Sequence, residues 1–160
     1  MPIYCEYSEN ELEIVEPPAH PEYVKKLEDI GKKLGFSTKS KKTELGLLDC
    51  VWRLKDIHLP KIEEDLPIVA FEVICSEDQK SLKGTIANLV ASRPSLAIFV
   101  LIKKEIKKHP RANTDQEKWL ERIERFVEKL RENYRGMLRT EVWDEDDVDK
   151  LYSMYREAPS

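Results

Sequence analysis

The sequence predicts an α/β fold in which a mixed central sheet is flanked by helices on both faces. Short apolar segments rich in β-branched residues alternate with longer segments whose apolar residues recur at helical spacing. The early strands are joined by short links and should pair antiparallel, whereas a helix-length connection favours parallel pairing later in the chain. We expect a single domain over residues 1–160. Its α-β-β-β-α-β core should occupy about 20–102, and residues 103–160 should add a C-terminal helix-strand-helix extension.

The core elements are predicted from periodicity and from the residues that begin and end helices. Residues 21–34 place apolar side chains at helical spacing, and Gly35 lies where a helix C-cap is expected. Ser76 and Gln79 form a capping box that predicts the start of a helix, which should end near Arg93. The predicted strands of the core span 36–42, 45–54, 67–75 and 96–102.

The C-terminal third predicts a helix, a strand and a second helix. Thr114 and Glu117 form another capping box, and the helix that begins there should continue to Gly136. Residues 138–143 are a candidate fifth strand, and residues 145–156 are a candidate last helix.

The net charge of −4 indicates that the molecule as a whole is not a general polyanion binder. The charge is unevenly distributed, however. Residues 20–42 contain seven lysines and three acids, and residues 103–111 contain five basic residues and one acid, whereas 141–157 is acidic. This distribution fits a protein that presents one basic face to a polyanion, although ordinary solvated helix faces explain it equally well.

Cysteine usage and hydropathy predict a cytoplasmic protein. Cys5, Cys50 and Cys75 are odd in number and form no CxxC pair, which is typical of a reducing compartment. The acidic first residues lack the apolar segment of a signal peptide. No apolar run approaches membrane-spanning length, so we expect no membrane partner.

Two carboxylates lie within apolar segments that predict buried strands. Glu72 lies within 68–75, and Asp49 lies within 45–52. A buried charge is costly unless something pairs with it. If the two side chains converge on neighbouring strands, their repulsion should raise a pKa, and a hard divalent cation such as Mg²⁺ would relieve it. The alternatives are an edge or ion-paired position for Glu72 and a strand-end or turn position for Asp49.

The order of these parts resembles the PD-(D/E)xK nuclease superfamily, which has the restriction-endonuclease-like fold. In that family an acid lies on the second strand of the core and an E-x-K motif lies on the third. The segments GLLDCVW, which contains Asp49, and AFEVI, which contains Glu72, correspond to these strands. The following helix and the strand 96–102 complete the resemblance, which covers roughly residues 20–102.

The resemblance implies a hydrolase, namely a metal-dependent endonuclease, with DNA favoured over RNA as its substrate. Asp49 and Glu72 would be catalytic acids that hold Mg²⁺ or Mn²⁺, with the carbonyl of Val73 as a third ligand. Glu44 and Glu28 are candidates for an extra acid. A homodimer is an option, because nucleases that cut both strands often dimerise. The basic segments would bind the phosphate backbone through Lys39, Lys41, Lys42, Lys103, Lys104, Lys107 and Lys108.

One position departs from the family pattern. Ile74 stands where the lysine of E-x-K is expected. In some family members this lysine comes from the following helix, where Lys80 and Lys83 are the candidates here. Either lysine would orient or deprotonate the attacking water, and the sequence does not distinguish between them.

Two other classes of function compete with the nuclease. The first is a catalytically inactive interaction module with the same fold, such as a subunit of a nucleic-acid-processing complex. Ile74 and the acidic net charge favour this alternative. The second is a flavodoxin-like binding domain, which would need consecutive β-α units, and the antiparallel start of the sheet argues against it. The three histidines lack the spacing of a zinc site.

Overall fold

The fold is described by a computed structural model over residues 18–38, 42–43, 46–54, 60, 66–111 and 113–156. The described elements alternate between helices and strands, and they include a short helix at 103–108 that was not predicted from the sequence. They are α1 (Ala19–Lys33), β1 (Lys42–Thr43), β2 (Gly46–Leu47), β3 (Cys50–Arg53), β4 (Pro67–Ile74), α2 (Gln79–Ser92), β5 (Leu96–Leu101), α3 (Lys103–Lys108), α4 (Gln116–Asn133), β6 (Thr140–Asp144) and α5 (Glu145–Arg156).

The central sheet is mixed, as predicted. Its four strands lie in the order β3-β4-β5-β6. β3 pairs with β4 antiparallel, whereas β4, β5 and β6 are mutually parallel neighbours. The helix-length connections between the parallel strands explain this arrangement, because α2 crosses from β4 to β5 and α4 crosses from β5 to β6. A short antiparallel hairpin of β1 and β2 precedes the sheet.

Helices cover both faces of the sheet, and each face has its own apolar core. On one face, the buried side chains of α1 and α5 pack against alternate strand residues such as Phe71 and Val73. On the other face, α2, α3 and α4 pack against the intervening positions, which include Ala70, Ile74 and Phe99. Side chains alternate between the two faces of a strand, so both sets of positions in β4 must be mostly apolar. This requirement makes Glu72, in the middle of β4, an exception.

The C-terminal segment is part of the same sheet and the same core. β6 pairs along its length with β5, and α5 packs on α1. Asp149 of α5 accepts a 3.0 Å hydrogen bond from the Tyr23 hydroxyl and a 2.7 Å hydrogen bond from Lys26 Nζ. The predicted extension at 103–160 therefore completes one face of the sheet through its residues 140–156.

A close approach between α1 and β3 positions the start of the sheet. Gly31 lies against the indole of Trp52, so that an added Cβ would lie 2.6 Å from Trp52 Cδ1. Trp52 Nε1 donates a 2.9 Å hydrogen bond to the carbonyl of Leu27 on the same helix. The Trp52 ring also stacks on Phe36 with the two ring centroids 5.5 Å apart. Glycine at position 31 is therefore needed for this contact.

Two of the predicted strands differ from the structure. The predicted strand 45–54 is interrupted, because the chain bends at Asp49 and β3 begins only at Cys50. The reason is that the Asp49 side chain binds the backbone of β4 instead of continuing the pairing. The predicted strand 36–42 is reduced to a single antiparallel bridge between Ser37 and Arg53, and residues 39–41 lie outside the described part.

The helix starts also differ from the predicted capping boxes, because neighbouring aspartates serve as N-caps. Asp78 caps α2 by accepting a 2.8 Å hydrogen bond from the N–H of Ser81, so the box of Ser76 with Gln79 does not form. Asp115 caps α4 by accepting a 3.1 Å hydrogen bond from the N–H of Glu117. A carboxylate is as good an N-cap as a serine or threonine hydroxyl and adds a favourable charge at the helix start.

The apolar residues of the described elements serve mainly the two cores. Within the described ranges, no helix combines the length and apolar character that crossing a bilayer requires.

Cys50 and Cys75 are buried free thiols, and burial raises the pKa of both. They behave as small core side chains, as the sequence suggests, whereas Cys5 lies outside the described residues.

Candidate active site

The register of β3 and β4 places Asp49 opposite Glu72. Cys50 pairs with Phe71, so in this antiparallel register Asp49, the residue before Cys50, lies opposite Glu72, the residue after Phe71. Cys50 and Phe71 both belong to the core beneath α1. Because side chains alternate along β4, Glu72 points to the opposite face, on which Ala70 and Ile74 pack beneath α2. The register therefore brings the two acids opposite each other, and Asp49 occupies the bend before the strand.

Hydrogen bonds hold the two carboxyl groups together. Oδ2 of Asp49 accepts a 2.8 Å hydrogen bond from the backbone N–H of Val73. A side-chain hydrogen bond joins the Glu72 and Asp49 carboxyls, and the Asp49 backbone N–H donates to Glu72 as well. This hydrogen bond raises the pKa of Glu72, after the larger effects of burial and of the Asp49 charge.

Glu72 is a buried acid whose hydrogen-bonding capacity is incompletely used. Its side chain belongs to a residue that is only 8% exposed. Its Oε1 is buried and has no hydrogen-bond partner among the described residues. Burial, followed by the charge of Asp49 and the hydrogen bond between them, raises the pKa of Glu72 to about 10. Without a cation, Glu72 therefore keeps its proton at neutral pH.

Two further polar side chains flank the acid pair, and the sequence analysis did not single them out as partners. Nε2 of His20 lies 3.3 Å from Oδ1 of Asp49, and these side chains are 16% and 19% exposed, so the pair opens to solvent on this side. Glu77 contributes to the raised pKa of Glu72 through its charge. Its Oε2 accepts hydrogen bonds of 2.8 Å and 3.0 Å from the N–H groups of Cys75 and Ser76.

The signals that would have identified these neighbours are weak. Glu77 follows β4 almost directly, and residues at the carboxyl end of a parallel strand gather at one edge of the sheet. His20 lies at the start of α1, about 30 positions before Asp49 in the chain, and no local pattern connects the two. Only the packing of α1 against the sheet brings His20 to the acid pair.

The oxygen atoms around Asp49 and Glu72 suit a hard divalent cation. Two carboxylates with a water-accessible side are a sufficient protein contribution for Mg²⁺, which keeps several waters. In the antiparallel pairing, the N–H and C=O of a residue point to the same neighbouring strand. The Val73 carbonyl therefore faces the side on which its N–H binds Asp49. Within the described ranges, no group of three or more His, Cys, Asp or Glu side chains is arranged to hold a metal.

No lysine is among the groups that shift the pKa of Glu72 in the described structure. Ile74, at the position of the missing lysine, is 1% exposed and packs in the core beneath α2. Lys80 is exposed near Asp78, whose pKa it helps to lower after the hydrogen bond from Ser81. Lys83 is exposed on the side of α2 that faces α4. Their catalytic roles remain predictions.

Of the two other candidate acids, the structure describes only Glu28. Glu28 lies on α1 and acts electrostatically on Cys50, which faces the opposite side of the sheet from Glu72. Glu44 lies outside the described residues. The charge of Glu77, and not that of Glu28, is among the effects that raise the pKa of Glu72. Glu77 is therefore the better candidate for a third acid beside the pair.

The predicted nucleic-acid-binding lysines are only partly described. Lys39 and Lys41 lie outside the described residues, and only the backbone of Lys42 is described. The lysines of α3 mostly have acidic partners: Lys103–Asp144 at 3.7 Å, Lys107–Glu117 at 2.9 Å and Lys108–Glu105 at 2.9 Å. The remaining side chain, Lys104, is exposed. The positive charge of this segment is therefore largely balanced.

The start of α3 explains why a helix forms in this lysine-rich segment. The backbone N–H groups of Lys103 and Lys104 donate to the carboxylate of Glu145. A carboxylate at a helix N-terminus satisfies unpaired donors and interacts favourably with the helix dipole. Burial raises the pKa of Glu145, whose Oε2 has no hydrogen-bond partner among the described residues.

Comparison with known proteins identifies no relative from which a function could be inferred. The chain matches no known protein-family model and no curated protein sequence.

Proposed function

We propose that this protein is a metal-dependent nuclease that hydrolyses phosphodiester bonds of nucleic acid, with DNA as the preferred substrate. One observation carries the proposal: Glu72 is a buried acid beside Asp49, and its Oε1 has no partner among the described residues. A structural role for Glu72 would be better served by an apolar side chain, because a buried acid pair is costly. A divalent cation between the two acids accounts for their retention.

Each residue of the site would have a separate chemical role. Asp49 and Glu72 would hold Mg²⁺ or Mn²⁺, and the Val73 carbonyl would be a third ligand. When bound, the metal lowers the pKa of its water and offsets charge on the phosphate. The hydrogen bond from Val73 keeps Asp49 oriented, and Glu72 must release its proton before it can bind a cation. Lys80 or Lys83 would have to reach this end of the sheet to orient the water.

The first test is cleavage by the purified protein. Supercoiled plasmid, single-stranded DNA, duplex oligonucleotides and RNA would each be incubated with Mg²⁺, with Mn²⁺ and with a chelator. We expect metal-dependent cleavage that Glu72→Gln reduces by orders of magnitude. The matched control is Glu132→Gln, which makes the same change at an exposed position of α4 and should cleave like the wild type.

The second test detects the metal without relying on activity. Since Glu72 is protonated in the free protein, Mg²⁺ or Mn²⁺ binding should release about one proton near neutral pH. Calorimetric titrations in buffers of different ionisation enthalpy measure this release directly. Glu72→Gln should lose both the binding and the proton release. Binding that survives this substitution unchanged would remove Glu72 from the metal site and overturn the proposal.

A catalytically inactive interaction module is the second candidate, and Ile74 favours it. A buried isoleucine occupies the position at which the family that this sequence resembles has a catalytic lysine. A subunit that has lost cleavage has no need of that lysine and would gain stability from an apolar residue there. If the wild type binds metal weakly and cleaves none of the four substrates, this candidate replaces the nuclease.

A further inference from the structure

A groove between α2 and α4 is lined mostly by basic side chains. Its volume is about 760 Å³. The residues that line it are Gln79, Lys83, Lys118, Glu121, Arg122, Arg125, Phe126 and Lys129. We call this surface the α2–α4 groove. It contains none of the lysines that the sequence analysis assigned to nucleic-acid binding.

The charge of the α2–α4 groove is strongly positive. Five of its residues are basic, and Glu121 is the only acid among those that line it. No ion pair joins any of the five basic residues to an acid within the described ranges. In α3, by contrast, three of the four lysines have an acid within ion-pair distance. On a chain with a net charge of −4, this concentration of uncompensated positive charge creates a local positive potential.

The basic residues of α4 form one continuous stripe. Lys118, Arg122, Arg125 and Lys129 follow one another at intervals of four, three and four residues, which places them on one face of a helix. With a rise of 1.5 Å per residue, the stripe is about 16 Å long. A strand of B-form DNA advances about 3.4 Å per nucleotide, so the stripe matches roughly five nucleotides. Lys83 of α2 faces this stripe from the other wall of the groove.

The side chains of the stripe are suited to phosphate groups. Arginine binds phosphate through two parallel N–H donors, and lysine adds a mobile positive charge. Arg122 is also held in place, since its guanidinium lies 5.9 Å from the centre of the Trp119 ring. Among the lining residues Phe126 is the only apolar one, so the groove lacks the several apolar anchors of a typical protein-binding site. The partner must therefore be a regular chain of hydrogen-bond acceptors with negative charge.

We propose that the α2–α4 groove binds the sugar-phosphate backbone of a nucleic acid. The contacts would be with phosphate groups, so they would fix the position of the strand without selecting its sequence. This inference does not depend on the proposed nuclease activity, because phosphate contacts of this kind need no metal. It holds equally for an active enzyme and for an inactive interaction module.

The experiment is a binding titration in the presence of EDTA, which prevents cleavage and separates this inference from the nuclease proposal. Fluorescence anisotropy would follow labelled single-stranded and duplex oligonucleotides of 20 nucleotides at several salt concentrations. With four phosphate contacts, the affinity for duplex DNA should fall roughly a hundredfold between 50 and 200 mM salt, given a slope of about −0.9 per contact. The quadruple substitution Lys118→Ala, Arg122→Ala, Arg125→Ala, Lys129→Ala should remove this dependence.

The matched control removes the same number of positive charges from exposed positions outside the groove: Arg135→Ala, Arg139→Ala, Lys150→Ala, Arg156→Ala. It should change the slope by less than one contact, because none of these side chains lines the α2–α4 groove. If the quadruple α4 variant fails to fold, as judged by circular dichroism, Lys83→Ala on the other wall replaces it and should lower the slope by about one contact. A slope that neither α4 nor α2 substitutions alter would overturn the inference.

An acidic protein segment is the competing partner, and a competition experiment distinguishes it. Poly-L-glutamate would be added to the oligonucleotide complex at equal concentrations of negative charge. We expect the oligonucleotide to stay bound, since carboxylate side chains lack the regular phosphate spacing that the stripe matches. If poly-L-glutamate displaces the oligonucleotide completely, the groove is a site for acidic polypeptides and the nucleic-acid assignment is wrong.

Discussion

The backbone N–H of Val73 donates a 2.8 Å hydrogen bond to Oδ2 of Asp49, and this bond fixes the start of β3 against the end of β4. One residue before Val73 in the chain, Glu72 lies opposite Asp49 in the register of the two strands. A single backbone donor thus orients one acid while the peptide geometry of β4 orients the other. The two carboxyls are thus brought together by the backbone of β4 and by the bend that precedes β3.

The stability of the metal-free protein should fall as the pH rises, and Glu72 should cause much of the change. The folded protein keeps a proton on Glu72 up to a pKa of about 10, whereas the unfolded chain releases it near 4.3. Between these values the folded state binds the extra proton, so raising the pH favours unfolding, by at most about 1.4 kcal/mol per pH unit. Urea denaturation at pH 5, 7 and 9 in EDTA measures this decline.

Glu72→Gln supplies the comparison for that measurement. The introduced amide has nearly the same volume, can still donate to Asp49 and does not titrate. The variant should therefore exceed the wild type in stability by a margin that grows with pH, while Glu132→Gln should follow the wild type. If Glu72→Gln is less stable at every pH, Glu72 is an ionised partner in a structural ion pair.

Lys80→Ala and Lys83→Ala should affect different steps. Lys83 lines the α2–α4 groove, so its removal should weaken DNA binding and raise KM while leaving the saturated rate close to that of the wild type. Lys80 is nearer to the N-terminus of α2 and the end of the sheet, so its removal should lower the cleavage rate at saturating DNA. Single-turnover rates over a range of DNA concentrations separate the two effects. Equal loss of the saturated rate in both variants would contradict this division.

Ile74→Lys should not restore a catalytic lysine, because the site is part of the core. Ile74 is 1% exposed and packs with the residues beneath α2. A buried ammonium loses its hydration, and we expect a loss of about 3 kcal/mol or more in the free energy of unfolding. Ile74→Val, the control, should cost only about 1 kcal/mol. An Ile74→Lys variant with normal stability and faster cleavage would show that its side chain reaches Glu72.

Gly31→Ala should destabilise the protein, because the methyl group would collide with the Trp52 indole. Overpacking of this kind costs about 1–3 kcal/mol, and a shift of Trp52 would also weaken its hydrogen bond to Leu27. The control is Gly84→Ala, since Gly84 lies in α2 with nothing within 4 Å of an added Cβ. That substitution should stabilise the helix by about 1 kcal/mol. Thermal unfolding of the two variants should thus shift in opposite directions.

Much of the fold follows from the sequence because burial on both faces requires long apolar segments. The strand at 67–75 was predicted within one residue of β4, which ends at Ile74, and its one acid is the Glu72 of the acid pair. The bend at Asp49 could not be predicted in the same way, because the apolar run continues through it. It depends on a hydrogen bond to Val73, which lies 24 positions later in the chain.

The electrostatics of the surface depended even more on tertiary structure. Counting charges along 103–111 predicts a basic segment, but the partners of Lys103 and Lys107 are Asp144 and Glu117, which come from β6 and α4. Conversely, α4 contains acids and bases in similar numbers, so its composition does not predict the basic α2–α4 groove. The basic stripe forms because the helix brings residues three and four positions apart onto one face, and the groove forms because α2 packs beside that face.

The hydrogen bond between Tyr23 and Asp149 joins residues that are 126 positions apart. A ribosome that adds about 5–20 residues per second needs between about 6 and 25 s to make the intervening chain. Throughout that interval the face of α1 that α5 will cover is exposed. Among the described elements α5 is the last to be synthesised, so it completes the helical layer on this face of the sheet only after the strands have been made.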